Sequence, residues 1–109
     1  MKRADVFFTE GAERDLQELY DFVAAHDSVA QAERLLDRIE TLMADLATSP
    51  DRGAHPRELL ALGIRDYRQV FFKPYRVIYR HMGAKVIIYL VADGRRDMST
   101  LLARRLLMG

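Results

Sequence analysis

Cysteine and tryptophan are absent from the 109-residue sequence, and it contains no long apolar run. Without cysteine, the chain has no disulfide, no thiolate nucleophile and no cysteine ligand for zinc. The longest apolar run, Val86–Ala92, is too short to cross a bilayer. These absences predict a protein of the cytoplasm that does not associate with membranes.

Composition favours one folded unit. Half of the residues are hydrophobic and 30% are charged, which excludes an intrinsically disordered chain. A chain of 109 residues forms one hydrophobic core of ordinary size, so we expect a single domain over residues 1–109.

The net charge of +1 conceals a strong asymmetry between the two halves of the chain. Residues 1–54 hold six Lys or Arg and twelve Asp or Glu, a net charge of −6. Residues 55–109 hold eleven Lys or Arg and four Asp or Glu, a net charge of +7. The asymmetry predicts a basic surface that binds an anionic partner, unless the two halves neutralise each other across the fold.

The first half of the chain predicts a strand followed by two helices. Asp5–Phe8 has the composition of a short strand, and Thr9 follows it as a helix cap. Apolar residues recur at helical spacing after Thr9 and again after Ser28, which predicts helices ending near residues 26–27 and at residues 49–50. Because few residues join the two helices, we expect an antiparallel helical hairpin.

The second half predicts a loop over residues 54–64, three strands and a last helix. The strands are predicted over Tyr67–Phe72, Tyr75–His81 and Val86–Val91. The third strand is apolar on both faces, so we expect it to be central and covered. Asp97 or Ser99 is expected to cap the last helix. The fold class is therefore α+β, with a helical hairpin packed on one face of a small, mainly antiparallel sheet.

Arginine side chains are the main candidates for binding. Six of them lie on or beside the predicted strands, namely Arg65, Arg68, Arg76, Arg80, Arg95 and Arg96. Arg76 and Arg80 share a strand face by parity, and we expect the neighbouring strand to bring Arg68 near them. Guanidinium groups on a rigid sheet suit phosphate or carboxylate ligands. In the alternative interpretation they pair with acids of the packed helices, such as Glu18, Asp21, Glu33 or Asp37.

The segment Gly94–Asp97 places two arginines just before a predicted helix, where the positive end of the helix dipole disfavours them. Either Asp97 compensates as the cap, or a bound anion or acidic partner does. The histidines His26, His55 and His81 lack the spacing of a metal site, and no motif implies a cofactor. His81 ends a strand beside the predicted basic face and is a candidate general base.

Several segments together resemble the ParE/RelE superfamily of bacterial toxins, and the resemblance covers nearly the whole chain. The segments are Pro50–Gly53, Arg68, Pro74–Arg80 and Gly94–Asp97, with Asp15-Leu16 and Ala32–Leu36 in the helices. The superfamily fold is a strand, a helical hairpin and an antiparallel sheet, which agrees with the fold predicted from the residues. Such toxins arrest growth and stabilise plasmids, and a cognate antitoxin with a disordered tail wraps the toxin and neutralises it. The resemblance thus implies a hetero-oligomer with the antitoxin.

The superfamily contains two functional branches. RelE-like members cut messenger RNA in the ribosome, with a tyrosine or histidine near the C-terminus as acid or base. After Tyr89 this chain has neither residue type, so the resemblance favours the ParE-like branch, which inhibits DNA gyrase by binding. We therefore expect no catalytic residue, and we expect the six arginines to bind the target or the antitoxin.

Two alternatives stay open at this point. The first is a metal-independent endoribonuclease that acts on mRNA in the ribosome through Arg76, Arg80 and His81, with Tyr79 as another possible acid or base. The second is a toxin-like chain that has lost toxicity and only binds the antitoxin. In either case, the antitoxin is expected to place apolar residues in a groove beside the helical hairpin and carboxylates over the basic sheet.

Overall fold

A computed structural model describes residues 3–108 of the chain. The elements in chain order are β1 (Asp5–Phe8), α1 (Glu10–His26), α2 (Val29–Thr48), α3 (Arg57–Leu60), β2 (Arg68–Phe72), β3 (Tyr75–Met82), β4 (Lys85–Asp93), α4 (Met98–Leu102) and a π-helical segment (Ala103–Leu107). The predicted order is confirmed for the strands and the other helices, while α3 forms one helical turn within the predicted loop over residues 54–64. The ends of the strands differ from the predicted ones by at most two residues. No helix in this part of the chain has both the length and the apolar character needed to cross a membrane.

The predicted helix caps are present. The Thr9 hydroxyl accepts a hydrogen bond from the Ala12 amide at 3.1 Å, and the Ser28 hydroxyl accepts one from the Gln31 amide at 3.0 Å. Each bond satisfies an amide that the first turn of a helix otherwise leaves free. Because only Asp27 and Ser28 separate the helices, α1 and α2 fold back against each other as a hairpin.

The sheet has four strands in the order β1-β4-β3-β2. β1 runs parallel to β4, and the other two pairs are antiparallel. β4 is thus central, as its apolar character on both faces predicts. The mainly antiparallel α+β fold is confirmed.

Each face of the sheet carries its own core. On the hairpin face, α1 and α2 pack against residues that include Val77, Tyr79 and Ile88. On the opposite face, which we call the α3/α4 face, Leu59 and Leu102 pack against the sheet. The two-sided cover explains why β4 buries side chains on both faces.

A β-bulge at Tyr89 interrupts β4. Ile78 lies opposite Leu90 whereas Tyr79 lies opposite Ile88, so Tyr89 is the extra residue. The bulge leaves backbone groups for other partners: the Val91 amide donates to the Asp15 carboxylate at 3.0 Å, and the Tyr89 carbonyl accepts from Arg105 at 2.8 Å. The bulge is thereby tied to α1 and to the π-helical segment.

Candidate functional site

Arg76 is the most deeply buried of the candidate arginines, with 7% of the residue exposed. Its guanidinium donates two hydrogen bonds to the Glu58 carboxylate, at 2.8 and 2.9 Å, and further bonds to the Gln69 side chain. The hydrogen bonds from Arg76 lower the pKa of Glu58 to about 2. All the nitrogen atoms of Arg76 are thus used within the fold, and the residue joins α3 to β2 and β3.

Arg80 lies on the same face of β3 as Arg76, as parity predicts. Its guanidinium is 3.5 Å from the Asp66 carboxylate and lies over the Tyr67 ring, 5.6 Å from the ring centre. About a third of the Arg80 side chain is exposed, so this contact is weaker than the buried pair of Arg76.

The prediction that Arg68 lies near Arg76 and Arg80 is wrong. Arg68 is opposite Tyr79 in the register of β2 and β3, and directly opposed residues share a face. Arg68 is therefore on the hairpin face, where it donates to the Gly53 carbonyl at 2.8 Å and lies 3.6 Å from the Asp51 carboxylate. The sheet separates it from the other two arginines.

His81 is held on both sides of its ring. Nδ1 is 2.7 Å from the Asp51 carboxylate and Nε2 is 2.8 Å from the Gly83 carbonyl. Both partner atoms only accept hydrogen bonds. The hydrogen bond with His81 is the main cause that lowers the pKa of Asp51. Each ring nitrogen therefore faces a hydrogen-bond acceptor of the fold.

Tyr79 is also engaged. Its hydroxyl donates to the Pro50 carbonyl at 2.7 Å and accepts from the Gly53 amide at 3.1 Å, and burial raises the pKa of the phenol. A Cβ added at Gly53 would lie 2.5 Å from the Gln69 carbonyl oxygen, so only glycine fits there. The tyrosine thus fixes the loop between α2 and α3 against the sheet.

The remaining three candidates are exposed. Arg95 folds back on Asp93, with its Nε 2.9 Å from the carboxylate, and these bonds lower the pKa of Asp93 to about 2. Asp97 caps α4 by accepting from the Thr100 amide at 3.2 Å, as one alternative predicts. Within residues 3–108, Arg65 and Arg96 form no ion pair.

The acidic partners of the strand arginines differ from those predicted. The helix residues Glu18, Asp21, Glu33 and Asp37 form no ion pair with a strand arginine in the described part of the chain. The partners are instead loop or α3 residues close to the strands, namely Asp51, Glu58 and Asp66. The alternative interpretation is therefore wrong for these four acids, although the pairs Arg68–Asp51 and Arg105–Asp15 still join the two halves of the chain.

A cleft that no sequence pattern predicted lies at the edge of β2 on the α3/α4 face. The cleft has a volume of about 480 Å³, and the cationic side chains that line it include Arg57, Lys73 and Arg76. His55 and Phe71 also line it. Two of the cationic residues that line the cleft, Arg57 and Lys73, stand on either side of the segment 58–72 in the sequence. This pair of basic residues was the sequence signal for the cleft. Among residues 3–108, no cluster of His, Asp and Glu suits a metal ion.

The sequence matches the family model described as "ParE toxin of type II toxin-antitoxin system, parDE" over residues 6–98. It is 30% identical over 100 residues to Toxin ParE3 of Caulobacter vibrioides, and the match covers 92% of this chain and 96% of the relative.

Solved structures show the same fold. A chain of the chromosomal ParDE TA system from P. aeruginosa matches with a TM-score of 0.68 and 17% identity, over 84% of this chain and 96% of that one. A chain of the toxin-antitoxin complex RelBE2 from Mycobacterium tuberculosis matches with a TM-score of 0.57 and 24% identity, over 85% of this chain and 93% of that one.

The fold and these matches define a toxin of a type II toxin–antitoxin system. Within that class, the chain belongs to the ParE family of the ParE/RelE superfamily.

Proposed function

We propose that this toxin arrests growth in the cytoplasm by binding DNA gyrase, without catalysing a reaction, and that a cognate antitoxin neutralises it. The family match over residues 6–98 is the observation that carries the proposal. The geometry of the candidate acid and base residues supports it. His81 and Tyr79 are hydrogen-bonded within the fold, and each side-chain nitrogen of Arg76 donates to Glu58 or Gln69.

The exposed arginines form the surface that we assign to the target. The Arg95 side chain is 80% exposed, and Arg65 and Arg96 are also exposed. Arg95 and Arg96 lie in the loop between β4 and α4, where an acidic surface reaches them without displacing a core residue. Arg68, Arg76 and Arg80 instead pair with Asp51, Glu58 and Asp66 within the fold, so we assign them a supporting role.

RNA cleavage is the competing function. Cleavage would require activation of a 2′-hydroxyl, stabilisation of the phosphate and protonation of the leaving oxygen. Arg80 keeps about a third of its side chain exposed and suits a phosphate contact. A nuclease would, however, require the His81 Nε2 to leave the Gly83 carbonyl, 2.8 Å away, and that rearrangement argues against this function.

A supercoiling assay tests the proposal. Purified toxin is added to gyrase, ATP and relaxed plasmid, and we expect inhibition that the product of the adjacent reading frame relieves. The double variant Arg95→Glu/Arg96→Glu should lose inhibition and growth arrest while its thermal unfolding stays unchanged. The matched control reverses two exposed arginines of the hairpin, Arg14→Glu/Arg34→Glu, and should still inhibit.

The outcome in cells separates gyrase from the ribosome. Filamentation with DNA-damage signalling is expected if the target is gyrase, whereas an immediate loss of protein synthesis would indicate mRNA cleavage. If a large molar excess of toxin leaves supercoiling unchanged, the gyrase proposal fails. His81→Ala would then be the first variant to test for loss of mRNA cleavage.

A further inference from the structure

The cleft at the edge of β2, which we call the β2 cleft, holds positive charge that the fold does not neutralise. Arg57 and Lys73 line it, both are exposed, and neither forms an ion pair among residues 3–108. Arg76 also lines the cleft, but Glu58 neutralises its charge. None of the described residues that line the cleft is Asp or Glu. Its two uncompensated cations therefore attract an anionic group from outside the chain.

The backbone of β2 is open beside these cations. The Gln69 amide donates to the Ala54 carbonyl at 2.7 Å, on the side of β2 that faces away from β3. By strand alternation, the amide and carbonyl of Phe71 point to the same outer side. In the described part of the chain no strand pairs with this side of Phe71, which also lines the cleft. A short extended segment of another protein therefore finds an unpaired strand edge there.

This open edge distinguishes a peptide from a nucleic acid as the occupant. The Phe71 amide donates and its carbonyl accepts, and one residue of an extended peptide offers the complementary carbonyl and amide. A phosphate group would leave the Phe71 carbonyl unmatched, because phosphate oxygens accept hydrogen bonds and do not donate them. Acidic side chains beside the paired peptide residue are the groups that suit Arg57 and Lys73.

The β2 cleft is continuous with the β4–α4 loop. Gly94 lines the cleft, and its amide donates to the Pro74 carbonyl at 2.8 Å. This bond joins the turn that carries Lys73 to the loop that carries Arg95 and Arg96. A partner that contacts the exposed arginines of the loop therefore reaches the cleft without crossing another element of the fold.

We propose that the β2 cleft binds an acidic, extended segment of the target protein. The inference rests on the proposed function, in which the target is gyrase, and it adds the place and the chemistry of one contact. The Phe71 backbone pairs with the main chain of the segment, while Arg57 and Lys73 bind its carboxylates. The cleft and the β4–α4 loop then form one binding surface.

Charge reversal in the cleft tests the inference, with calorimetric titration of purified gyrase as the measurement. Arg57→Glu/Lys73→Glu should weaken binding about 100-fold at low salt, and the loss should shrink as added salt screens the charges. Arg57→Gln/Lys73→Gln should weaken binding by a smaller factor and guards against misfolding of the reversed variant. The control Arg14→Glu/Arg34→Glu makes the same charge change on exposed hairpin residues outside the cleft and should bind as the wild type does.

A second pair of variants tests the strand pairing. Phe71→Pro removes the outward amide proton, and proline is tolerated in an edge strand where that proton faces away from the sheet. Phe71→Ala removes the exposed ring but keeps the amide. We expect Phe71→Pro to bind gyrase about 5-fold more weakly than Phe71→Ala, with circular dichroism showing that both fold. Equal affinities in the two folded variants would overturn the pairing with β2.

The possible results separate this inference from the proposed function. If the wild type binds gyrase and folded Arg57→Glu/Lys73→Glu binds it equally well, the inference fails while the proposed function stands. If the wild type does not bind gyrase, both fail. A reversed variant that keeps its affinity for gyrase but loses affinity for the product of the adjacent reading frame, or for a single-stranded RNA oligonucleotide, would identify another occupant and also overturn the inference.

Discussion

Arg76 and Arg95 bind carboxylates in a similar way but in different surroundings. Each donates two or more hydrogen bonds to its acid, and each lowers the pKa of that acid to about 2. The Arg76 and Glu58 side chains are 9% and 13% exposed, whereas the Arg95 side chain is 80% exposed. Burial thus distinguishes a pair that holds the fold from one that a partner can open, although the pKa values agree.

The difference between Arg76 and Arg95 shows that the net charge of the second half of the chain does not measure its exposed positive charge. Its net charge of +7 suggests a broad cationic face. However, Glu58 neutralises Arg76 in the core, and Arg68 lies on the hairpin face of the sheet. The exposed cations of this half are Arg95 and Arg96 in the β4–α4 loop, Arg57 and Lys73 beside the β2 cleft, and Arg65, Lys85 and Arg104 elsewhere. Total charge therefore overestimates the surface available to an acidic partner.

Breaking the buried Arg76–Glu58 pair should have the largest effect on the free energy of unfolding. Glu58→Leu leaves the Arg76 charge buried without a counter-ion, and we expect the free energy of unfolding to fall by about 3–5 kcal/mol at pH 7. Denaturant unfolding monitored by circular dichroism measures it. The double variant Glu58→Leu/Arg76→Met removes both charges and should lie within about 1–2 kcal/mol of wild type. A single variant as stable as wild type would refute the structural role of the pair.

The same pair predicts a dependence of stability on pH. The folded pKa of Glu58, about 2, is below its ordinary value of 4.5, so the pair stabilises the fold fully above about pH 5. That stabilisation is lost as the pH falls from about 5 towards 2. The difference in unfolding free energy between wild type and Glu58→Leu should therefore narrow over that range. A constant difference would show that Glu58 does not titrate in this way.

The Asp15–Arg105 pair should have an intermediate effect, because its side chains are 12% and 30% exposed. Asp15→Asn removes the charge that binds Arg105 and weakens the acceptor for the Val91 amide. We expect a loss of about 1–3 kcal/mol in unfolding free energy. Amide hydrogen exchange should accelerate in residues 98–108 more than in α2. Equal acceleration of amide exchange in α2 and in residues 98–108 would contradict the inference that this pair holds only the C-terminal segment in place.

The exposed pair should have the smallest effect. Asp93→Asn leaves Arg95 in water, where it is solvated without its partner. We expect the thermal midpoint to move by no more than about 2 °C, as measured by scanning calorimetry. A large fall in the thermal midpoint would mean that the stability of the β4–α4 loop depends on this pair. Burial would then no longer distinguish the Arg95 pair from the Arg76 pair.

Local sequence signals were sufficient for the elements of the fold. Thr9 and Ser28 mark helix starts because a hydroxyl cap acts within three residues, and β4 is recognisably central because both its faces are apolar. The bulge at Tyr89 has no such signal. Its backbone is satisfied by Asp15 and Arg105, which are 90 residues apart in the sequence, so only the tertiary structure reveals it.

Part of the arrangement of the arginines can be predicted from the sequence. The two-residue turn at Lys73-Pro74 pairs Phe72 with Tyr75, and counting back from it places Arg68 opposite Tyr79. That count would have assigned Arg68 to the hairpin face. The pairing of Arg76 with Glu58 was not accessible in this way, because it depends on how α3 packs across the sheet.

The parallel pairing of β1 with β4 determines when the sheet can be completed during synthesis of the chain. Among the described strands, β1 has no neighbour except β4, so it cannot join the sheet until residues 85–88 of β4 have been synthesised. The tether from Asp15 to Arg105 forms later still. A chain growing on the ribosome is therefore not yet a finished toxin. Any protein that binds the growing chain before residue 88 is made meets β1 without its partner strand.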